Sequence, residues 1–438
     1  MPTPSQKTLI LGGGVSGLLA AWYLRRPGRE IQVWEASAAV GGWAQTLPWP
    51  GPEGESGSVE RGPQGLRLAR ESALQQLVAA LELPLQPVAP RGLHWLGRRG
   101  RRFPSPGTLP GLFRAPGLGL AGRLRLLGEP FVPAGTDPNE LLSAFCARRL
   151  GQGFAREWLP ALVAGILAAP PERLGLEALP ELRRMEACGG LLWGSLRARA
   201  GRTRHPVDGT GALAQELAAR LGCVSLHHRA QALEPLPGGR WRVHGENLQT
   251  DADEVVLALP PSIGAALLST SAPEASGLLG AIPMLALRVW HSRHAPVPGW
   301  ERGFNLLLHP PEGQGLLGVV GLARQDPRAA PGLLQLRSFV GGAYPVAPAL
   351  EAWPGVFAEL RRWLPELSDP LQVRVEDCTD AFPLMAPGHG ARVAGLLSAL
   401  PPGIHWVGAA RFGPGLPGLA EGIAAWAQAV PGRDRRGP

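Results

Sequence analysis

A short glycine-rich segment near the N-terminus has the residue types and spacing of a site that binds a dinucleotide. Residues 12–17 read G-G-G-V-S-G, which contains the pattern G-x-G-x-x-G. The first glycine of this pattern permits a tight turn, the second lets the backbone approach a pyrophosphate, and the third lets a helix pack closely on a strand. A helix that begins here also presents free N–H groups and the positive end of its dipole to the phosphates. The predicted contacts are Gly12, Gly13, Gly14, Val15, Ser16 and Gly17.

An acidic residue, Glu35, lies 18 residues after the last of these glycines. The elements around it are in the required order: a strand-like run at 8–11, a helical run at 18–24 and a second strand-like run at 31–34. A carboxylate at this position accepts hydrogen bonds from a ribose hydroxyl and repels a 2′-phosphate, which favours FAD or NAD over NADP. We assign Glu35 and the adjacent Ala36 to the cofactor site. A glycine-rich structural turn is the alternative interpretation.

Further glycine-rich segments favour FAD as the dinucleotide. The segment 41–43 reads G-G-W, the segment 60–65 reads E-R-G-P-Q-G, and the segment 413–418 reads G-P-G-L-P-G between a strand-like and a helical run. A second strand-to-helix junction far from the first suits a long, extended cofactor, although a simple closing loop and helix is the alternative. The predicted FAD contacts in and near these segments are Gly42, Trp43, Gly62, Pro63, Gln64, Gly65, Ala230, Ala409, Pro414, Gly415 and Leu416.

The composition is that of a globular protein with several domain-sized units. The chain has 438 residues, of which 45% are hydrophobic and 18% are charged, so it can bury a sizeable core. Its 60 glycines and 47 prolines are scattered without a period, which excludes a collagen-like repeat. The net charge of +8 comes almost wholly from arginines that are dispersed without a binding motif. We therefore expect no nucleic-acid partner.

The cysteines and the hydropathy pattern indicate where the chain works. Cys146, Cys188, Cys223 and Cys378 lie far apart with no C-x-x-C pair, which excludes a disulfide framework and argues against a zinc site. We expect no metal and a reducing compartment, the cytoplasm. The N-terminus has no signal-peptide pattern, and no apolar run is long enough to span a membrane.

The order of strand-like and helical segments indicates an α/β (α+β multidomain) fold. Residues 254–260 read as a buried strand with a sharp stop at Pro260, and residues 209–221 read as a helix opened by glycines. We predict a discontinuous Rossmann-like FAD-binding domain, a mixed-sheet substrate domain and a helical insertion. The FAD-binding parts are 1–88, 199–271 and 379–438, the substrate-domain parts are 89–105 and 272–378, and the helical insertion is 106–198.

Several segments, in the same order along the chain, resemble a known family. Residues 145–151 (F-C-A-R-R-L-G) are similar to its F-x-x-R-R-L-G, residues 303–307 (G-F-N-L-L) to its G-F-G-x-L, and residues 382–389 (F-P-L-M-A-P-G-H) to its I-P-Q-Y-x-x-G-H. The chain thus resembles the oxygen-dependent protoporphyrinogen and coproporphyrinogen oxidases of the flavin-containing amine oxidase superfamily. It departs from the family patterns at Ala169, Pro170, Asn305 and Ala409.

The resemblance implies an FAD-dependent oxidation in haem biosynthesis. Protoporphyrinogen IX would lose six electrons to become protoporphyrin IX, with molecular oxygen as acceptor and hydrogen peroxide as product. Hydride transfer to flavin N5 needs no protein nucleophile, so no catalytic side chain is assigned. Coproporphyrinogen III oxidation to coproporphyrin III, another flavoenzyme of the amine oxidase fold, and a non-catalytic flavin- or porphyrin-binding protein remain alternatives.

The resemblance also implies the walls of an apolar pocket. Phe304, Leu307 and Phe339 match family positions that line the macrocycle pocket. Gly165 and Ile166 would form the opposite wall. Aromatic and aliphatic walls suit a wide apolar ring, although all five residues could equally belong to the core.

Arginines near the start of the helical insertion are candidates for contacts with anions. A guanidinium fork matches a carboxylate, so Arg114 is the predicted partner of a substrate propionate. The segment 98–103 (R-R-G-R-R-F) combines arginines with an apolar residue, which suits an anionic bilayer surface. We expect a peripheral contact with the cytoplasmic face of a membrane and, as a further partner, the next enzyme of the haem pathway; an ordinary solvated face is the alternative.

Overall fold

The structure is a computed structural model that describes residues 6–87, 92–104, 118–191, 193–194, 201–310, 312–323, 326 and 328–430. Its strands in these ranges are β1 (Gln6–Leu11), β2 (Arg29–Trp34), β3 (Thr46–Pro48), β4 (Ser58–Glu60), β5 (Leu66–Leu68), β6 (Leu93–Arg98), β7 (Arg101–Pro104), β8 (Arg202–Arg204), β9 (Val224–Ser225), β10 (Ala230–Leu236), β11 (Arg240–Gly245), β12 (Gln249–Ala252), β13 (Glu254–Leu257), β14 (Met284–His294), β15 (Phe304–Leu308), β16 (Leu316–Gly321), β17 (Leu334–Gly341), β18 (Gln372–Pro383) and β19 (Ile404–Trp406). Its helices in the same ranges are α1 (Val15–Leu24), α2 (Ala73–Ala80), α3 (Leu120–Leu127), α4 (Leu142–Leu150), α5 (Gln152–Glu157), α6 (Leu159–Leu167), α7 (Pro180–Ala187), α8 (Gly211–Leu221), α9 (Pro261–Leu268), α10 (Pro273–Gly280), α11 (Trp353–Trp363), α12 (His389–Ala399), α13 (Ala409–Phe412) and α14 (Leu416–Ala429). The predicted multidomain fold of mixed α and β structure is confirmed.

A five-stranded parallel sheet has the strand order β19-β13-β1-β2-β9 and draws its strands from three separate parts of the chain. Alternate residues of β1 point to opposite faces, so that Ile10 packs with α1, α8 and α14 while Leu9 packs with α9, α10 and α12. Both side chains are fully buried. Helices on both faces explain why residues 9–11 of β1 are all apolar, without a polar alternation.

A seven-stranded mixed sheet has the order β18-β14-β17-β16-β15-β6-β7. Its β15 and β6 are parallel, and its other neighbouring strands are antiparallel. On β15 the side chain of Leu306 points toward Trp363 of α11, whereas that of Leu307 points to the opposite face, toward α6. The period of two along a strand thus gives this sheet one core face and one face that can border a site.

Helices α3 to α7 form a further layer around buried side chains such as Phe145 and Trp158. Inside this layer, Arg149 Nε donates to Glu129 Oε1 at 2.8 Å. This buried pair joins α4 to the short turn that follows α3. Helix α6 is followed by its C-cap residue Ala168, whose carbonyl accepts a hydrogen bond of 2.8 Å from the N–H of Ala343. This bond ties the end of α6 to the end of β17. Within the described ranges, no helix has both the length and the hydropathy of a membrane span.

Two predicted domain boundaries differ from the packing. Helix α10 lies beyond the predicted boundary at 271, but its Leu279 packs with Leu268 and Leu396 on the parallel sheet. Strand β18 continues past the predicted boundary at 378, because it pairs with β14 as far as Pro383. Both corrections come from contacts between distant segments, which local hydropathy does not report. The remaining boundaries stay predictions.

Candidate functional site

The glycine-rich segment forms the turn between β1 and α1. Gly12 has a φ of +106°, and a Cβ there would lie 2.6 Å from the carbonyl oxygen of Ala258, which directly follows the neighbouring strand β13. A Cβ on Gly17 would lie 1.9 Å from the carbonyl oxygen of Gly12. These contacts are with backbone, which cannot move aside, so both positions require glycine for the turn itself.

Gly14 differs from these two glycines because the space beside it is open. The nearest atom to a Cβ at Gly14 would be the Cα of Gly42, 3.9 Å away. Gly14 is the N-cap of α1 and makes no side-chain capping bond, so the first-turn N–H groups remain available to an anion. The N–H of Gly41 donates to Gly13 O at 2.9 Å, which brings the 41–42 turn beside the loop. This open, N–H-rich cradle fits the pyrophosphate of FAD.

Glu35 lies at the carboxyl end of β2, beside the glycine loop. Its Oε2 accepts a hydrogen bond of 2.6 Å from Gly13 N, and its Oε1 accepts from the N–H and hydroxyl of Ser37 at 2.8 and 2.7 Å. Its backbone carbonyl accepts from His228 N at 2.8 Å, two residues before Ala230 begins β10. Ala36 follows Glu35 directly and is half-buried. The carboxylate is therefore held in place where a ribose would adjoin the pyrophosphate.

The C-terminal glycine-rich segment follows α13 and leads into α14, shortly after β19. Ala409 begins α13, Pro414 lies in the turn that follows, and Gly415 is the N-cap of α14, which begins at Leu416. The buried His389 donates from Nε2 to the carbonyl of Ala410 at 2.6 Å. Burial lowers the pKa of His389, which keeps it neutral and suited to a structural role here.

The segment 60–65 packs between the two sheets. A Cβ on Gly62 would lie 2.3 Å from the carbonyl oxygen of Trp43, and a Cβ on Gly65 would lie 2.8 Å from Nδ1 of His205. The guanidinium of Arg61 lies over the Trp43 ring, 4.7 Å from its centroid. Pro63 and Gln64 complete this turn. The predicted contact residues Trp43 and Gly62 are thus neighbours.

A buried ion-pair cluster fixes the start of this segment. Glu60 accepts hydrogen bonds from Thr210 N at 2.9 Å and from Arg328 Nη1 at 3.1 Å. Arg328 also binds Asp326, with Nη2 to Oδ2 at 2.6 Å. Burial alone would lower the pKa of Arg328, but the hydrogen bonds and charge of Asp326 outweigh burial and raise it. The cluster therefore stays ionised and anchors the segment.

A cavity of about 220 Å³ lies on the open face of the mixed sheet. It brings together three predicted substrate residues, Gly165, Leu307 and Phe339. A Cβ on Gly165 would lie 2.3 Å from Cδ2 of Leu307, so glycine lets α6 approach β15. The residues that line the cavity are His94, Trp95, Gly165, Asn305, Leu306, Leu307, Gly318, Val319, Val320 and Phe339.

Two further predicted substrate residues, Ile166 and Arg114, are not among those that line this cavity in the described part of the chain. Ile166 follows Gly165 on α6, but it does not line the cavity and its side chain is 56% exposed. Arg114 lies outside the described residues.

The prediction that Phe304 lines the pocket is wrong. Its side chain is 2% exposed and packs against the rings of Trp95 and Trp300, with centroids 5.2 and 4.9 Å away. Phe304 and Leu307 are three positions apart on one strand, so they point to opposite faces. The family resemblance pointed to this segment, and the alternation along β15 decides which of its side chains face the cavity.

Three residues of the site region were missed in the sequence. Asn305 and His94 put polar groups on the cavity wall, with Nδ2 of Asn305 3.4 Å from Nδ1 of His94. The alternation that places Leu307 on this face also places Asn305 there, and this signal was available. Arg337 packs beneath Phe339, and its hydrogen-bond partners lie more than 200 residues away in the sequence. No local sequence pattern therefore points to it.

Comparisons with known proteins agree with this geometry. The model of the family described as "Flavin containing amine oxidoreductase" matches residues 15–418. The protoporphyrinogen oxidase of Homo sapiens is 30% identical over 390 residues, covering 77% of this chain and 77% of that protein. The coproporphyrinogen III oxidase of Bacillus subtilis (strain 168) is 25% identical over 484 residues, covering 98% of this chain and 99% of that protein.

A solved structure of a protein from Exiguobacterium sp. 255-15 shares the fold. It has a TM-score of 0.77 and 21% identity, and the match covers 97% of this chain and 98% of that one. The family match extends from the glycine loop to the C-terminal glycine-rich turn, which are the two segments assigned to the cofactor. The chain therefore belongs to the flavin containing amine oxidoreductase family and is an oxidoreductase with FAD as its cofactor.

Proposed function

We propose that the protein oxidises protoporphyrinogen IX to protoporphyrin IX, with molecular oxygen as the electron acceptor and hydrogen peroxide as product. One observation carries the proposal: a single side chain connects the cavity walled by Gly165, Leu307 and Phe339 to the segment 60–65 assigned to FAD. The two are joined by Arg337, which stacks on the Phe339 ring and donates to Gly62 O at 2.6 Å. The names of the relatives from Homo sapiens and Bacillus subtilis supply the substrate class.

In this proposal the chain binds and orients the macrocycle and excludes water. Leu307 and Phe339 offer apolar contacts to the flat faces of the ring, and Gly165 lets α6 close the cavity against Leu307. Asn305 offers the wall an amide that can orient a polar substituent. FAD, when bound, accepts the hydride removed from the ring. The residues named here thus supply position and a dry environment.

The size of the cavity restricts how the ring can enter. Its volume of about 220 Å³ is below the roughly 300–1,000 Å³ of pockets that enclose a whole ligand. We propose that the cavity receives one edge of the macrocycle, while the rest lies over the exposed surface near Ile166, whose side chain is open to solvent.

A turnover experiment tests the proposal. The purified holoenzyme is mixed with protoporphyrinogen IX in air, and porphyrin fluorescence and hydrogen peroxide are followed together. We expect both to rise, and Gly165→Val to lower the rate because its side chain displaces that of Leu307, which lines the cavity. Gly395→Val is the matched control: Gly395 also lies in a helix, with no atom within 4 Å of its Cβ position. Porphyrin formation no faster than without protein would contradict the proposal and favour another amine-oxidase-type reaction or a binding role.

Coproporphyrinogen III is the second candidate substrate. It is favoured by the Bacillus subtilis relative, which covers 98% of this chain, more than the Homo sapiens relative does. The same assay with both porphyrinogens separates the two, and the substrate with the higher kcat/KM is assigned. The first proposal predicts that kcat/KM for protoporphyrinogen is at least tenfold higher, which corresponds to a difference of about 1.4 kcal/mol in activation free energy.

We also propose that the protein is cytoplasmic and touches the inner face of a membrane through α3 and the turn after it. Leu120, Leu124, Leu127 and Phe131 follow one another at helical spacing and are 74, 59, 58 and 87% exposed. Arg123, which is also exposed, lies among them and suits anionic headgroups.

Vesicle sedimentation tests this contact. We expect binding to vesicles with anionic lipid, and loss of most binding in Leu124→Ser and Phe131→Ser. Leu371→Ser changes an equally exposed leucine away from this helix and should leave binding unchanged. Equal vesicle binding by the wild type and the three variants would contradict the proposed membrane-binding surface.

A further inference from the structure

Buried arginines hold three backbone carbonyls of the segment 61–64. Arg337 Nη2 donates to Arg61 O at 2.9 Å, and Arg337 Nη1 donates to Gly62 O at 2.6 Å. Arg328 Nη1 donates to Gln64 O at 2.7 Å. These carbonyls therefore point toward the interior between the segment and the mixed sheet.

The planarity of the peptide group then fixes the direction of two N–H groups. In a trans peptide the carbonyl of one residue and the N–H of the next point in opposite directions, and every described peptide here is trans. The N–H groups of Gly62 and Gly65 consequently point away from Arg337 and Arg328. Neither N–H has a hydrogen-bond partner among the described residues. Two oriented donors thus face away from the sheet.

A continuous line of contacts connects these donors to the cofactor cradle. The 41–42 turn lies against the glycine loop, and Trp43 follows it directly. The Trp43 carbonyl is the closest neighbour of the Cβ position on Gly62. At the other end, the guanidinium of Arg337 stacks on the Phe339 ring, 4.9 Å from its centroid, and Phe339 lines the cavity. The segment therefore lies between the pyrophosphate cradle and the cavity, where an extended FAD would place its ring.

Arg337 also brings a buried charge to this place. Its side chain is 4% exposed, and among the described residues no carboxylate lies within ion-pair distance of it. Burial lowers its pKa to about 10, so it remains charged at neutral pH. A buried cation beside a ring that gains negative charge on reduction stabilises the reduced form.

We propose that Arg337 is a positioning residue for the flavin: it turns the N–H group of Gly62 toward the isoalloxazine ring, as Arg328 does for that of Gly65, and its charge raises the reduction potential of the bound FAD. The inference rests on the bound cofactor and not on the identity of the substrate. Its failure is therefore distinguishable from failure of the porphyrinogen assignment.

The chain offers a closely matched control in Arg293. It lies on β14, the strand next to the edge strand β18 of the same sheet, and donates to the carbonyls of Trp49 and Pro50 at 2.5 and 2.7 Å. Its guanidinium also stacks on a ring, that of Trp49, at 4.0 Å. It is fully buried, and burial lowers its pKa to about 10 as well. Arg293 and Arg337 thus make the same kinds of contact, but only Arg337 holds the segment assigned to flavin.

The test measures the flavin and not turnover. Arg337→Met, Arg337→Lys and Arg293→Met are purified with FAD, and the midpoint potential, the visible flavin spectrum and the thermal midpoint are recorded. We expect Arg337→Met to lower the ratio of reduced to oxidised flavin at a fixed potential at least tenfold, about 30 mV for a two-electron couple, and to shift the visible bands. Arg337→Lys keeps the charge but cannot make both carbonyl bonds as a fork, so its potential should fall less.

The control separates positioning from stability. Both methionine variants should lose thermal stability to a similar extent, but Arg293→Met should keep the wild-type potential and spectrum. A wild-type potential and spectrum in Arg337→Lys and Arg337→Met would overturn the proposal, as would an equal shift in Arg293→Met. If Arg337→Met does not fold, Arg337→Lys alone decides: a lowered potential supports the proposal, and a wild-type potential and spectrum overturn it.

Discussion

The nucleotide end and the ring end of the site are built in different ways. At the nucleotide end, one contiguous segment from β1 to α1 supplies backbone groups, and side chains are absent where the pyrophosphate lies. At the ring end, the cavity wall combines Gly165 of α6, Leu307 of β15 and Phe339 of β17, which meet only after the sheet has formed. The first site is a property of local sequence, whereas the second is a property of tertiary packing.

The two ends also use glycine for different purposes. Gly17 avoids a backbone oxygen, and this contact cannot be relieved. Gly165 avoids the end of a leucine side chain, which can change rotamer. Substitutions at the nucleotide end should therefore remove the cofactor or the fold, whereas substitutions at the ring end should adjust substrate binding in steps.

The largest effect is expected at Gly14. Gly14→Val should give folded protein that lacks yellow colour, because the side chain occupies the open space beside the helix N-terminus while no protein atom lies closer than 3.9 Å to its Cβ. FAD content after purification measures this. Gly119→Val is the matched control, since Gly119 is also a helix N-cap, with φ −63° and ψ 174° against −67° and 171° for Gly14. A flavin-replete Gly14→Val would mean that the loop is only a turn.

The next effect concerns stability at the ring end. Phe304→Ala should lower the free energy of unfolding by about 3–5 kcal/mol, because it removes a buried ring packed against Trp95 and Trp300. Urea unfolding measures this, and KM of the surviving folded enzyme should stay within about twofold of wild type. A large rise in KM with little loss of stability would return Phe304 to the cavity wall.

Leu307→Ala should show the opposite pattern on the same strand. Its side chain faces the cavity, so the variant should raise KM for the porphyrinogen about tenfold, within the 1–3 kcal/mol of a lost apolar contact. Its loss of unfolding free energy should be clearly smaller than that of Phe304→Ala. Steady-state kinetics gives KM, and urea unfolding gives the free energy of unfolding. An unchanged KM together with a stability loss equal to that of Phe304→Ala would contradict the placement of Leu307 on the cavity face.

The smallest effect is a pH dependence at the ring end. Burial, with the charges of Arg337, Arg374 and Arg293, lowers the pKa of His291 to about 2. The folded state then binds fewer protons than the unfolded state below about pH 6.5, so stability is lost as pH falls through that value. For each pH unit below about 6.5, this histidine should lower the free energy of unfolding by about 1.4 kcal/mol. Urea unfolding at pH 7.5 and 5.5 should show a weaker pH dependence in His291→Gln than in wild type, and identical slopes would contradict it.

The same contrast explains what the sequence could predict. The glycine loop, Glu35 and the C-terminal turn were predicted because their chemistry depends on residues close together in the chain, and FAD follows from them. The segment with Phe304 was found by resemblance, but its face depends on the strand register with β6 and β16. Arg337 could not be found, because its hydrogen bonds reach segments about 275 residues away.

Anaerobic mixing tests the central claim most directly. The yellow, FAD-loaded protein is mixed with protoporphyrinogen IX without oxygen, and the absorbance of oxidised flavin is followed in a stopped-flow cell. We expect this absorbance to bleach as porphyrin absorbance appears, and to return when oxygen is admitted. A flavin spectrum that stays oxidised with both protoporphyrinogen and coproporphyrinogen would contradict the porphyrinogen account.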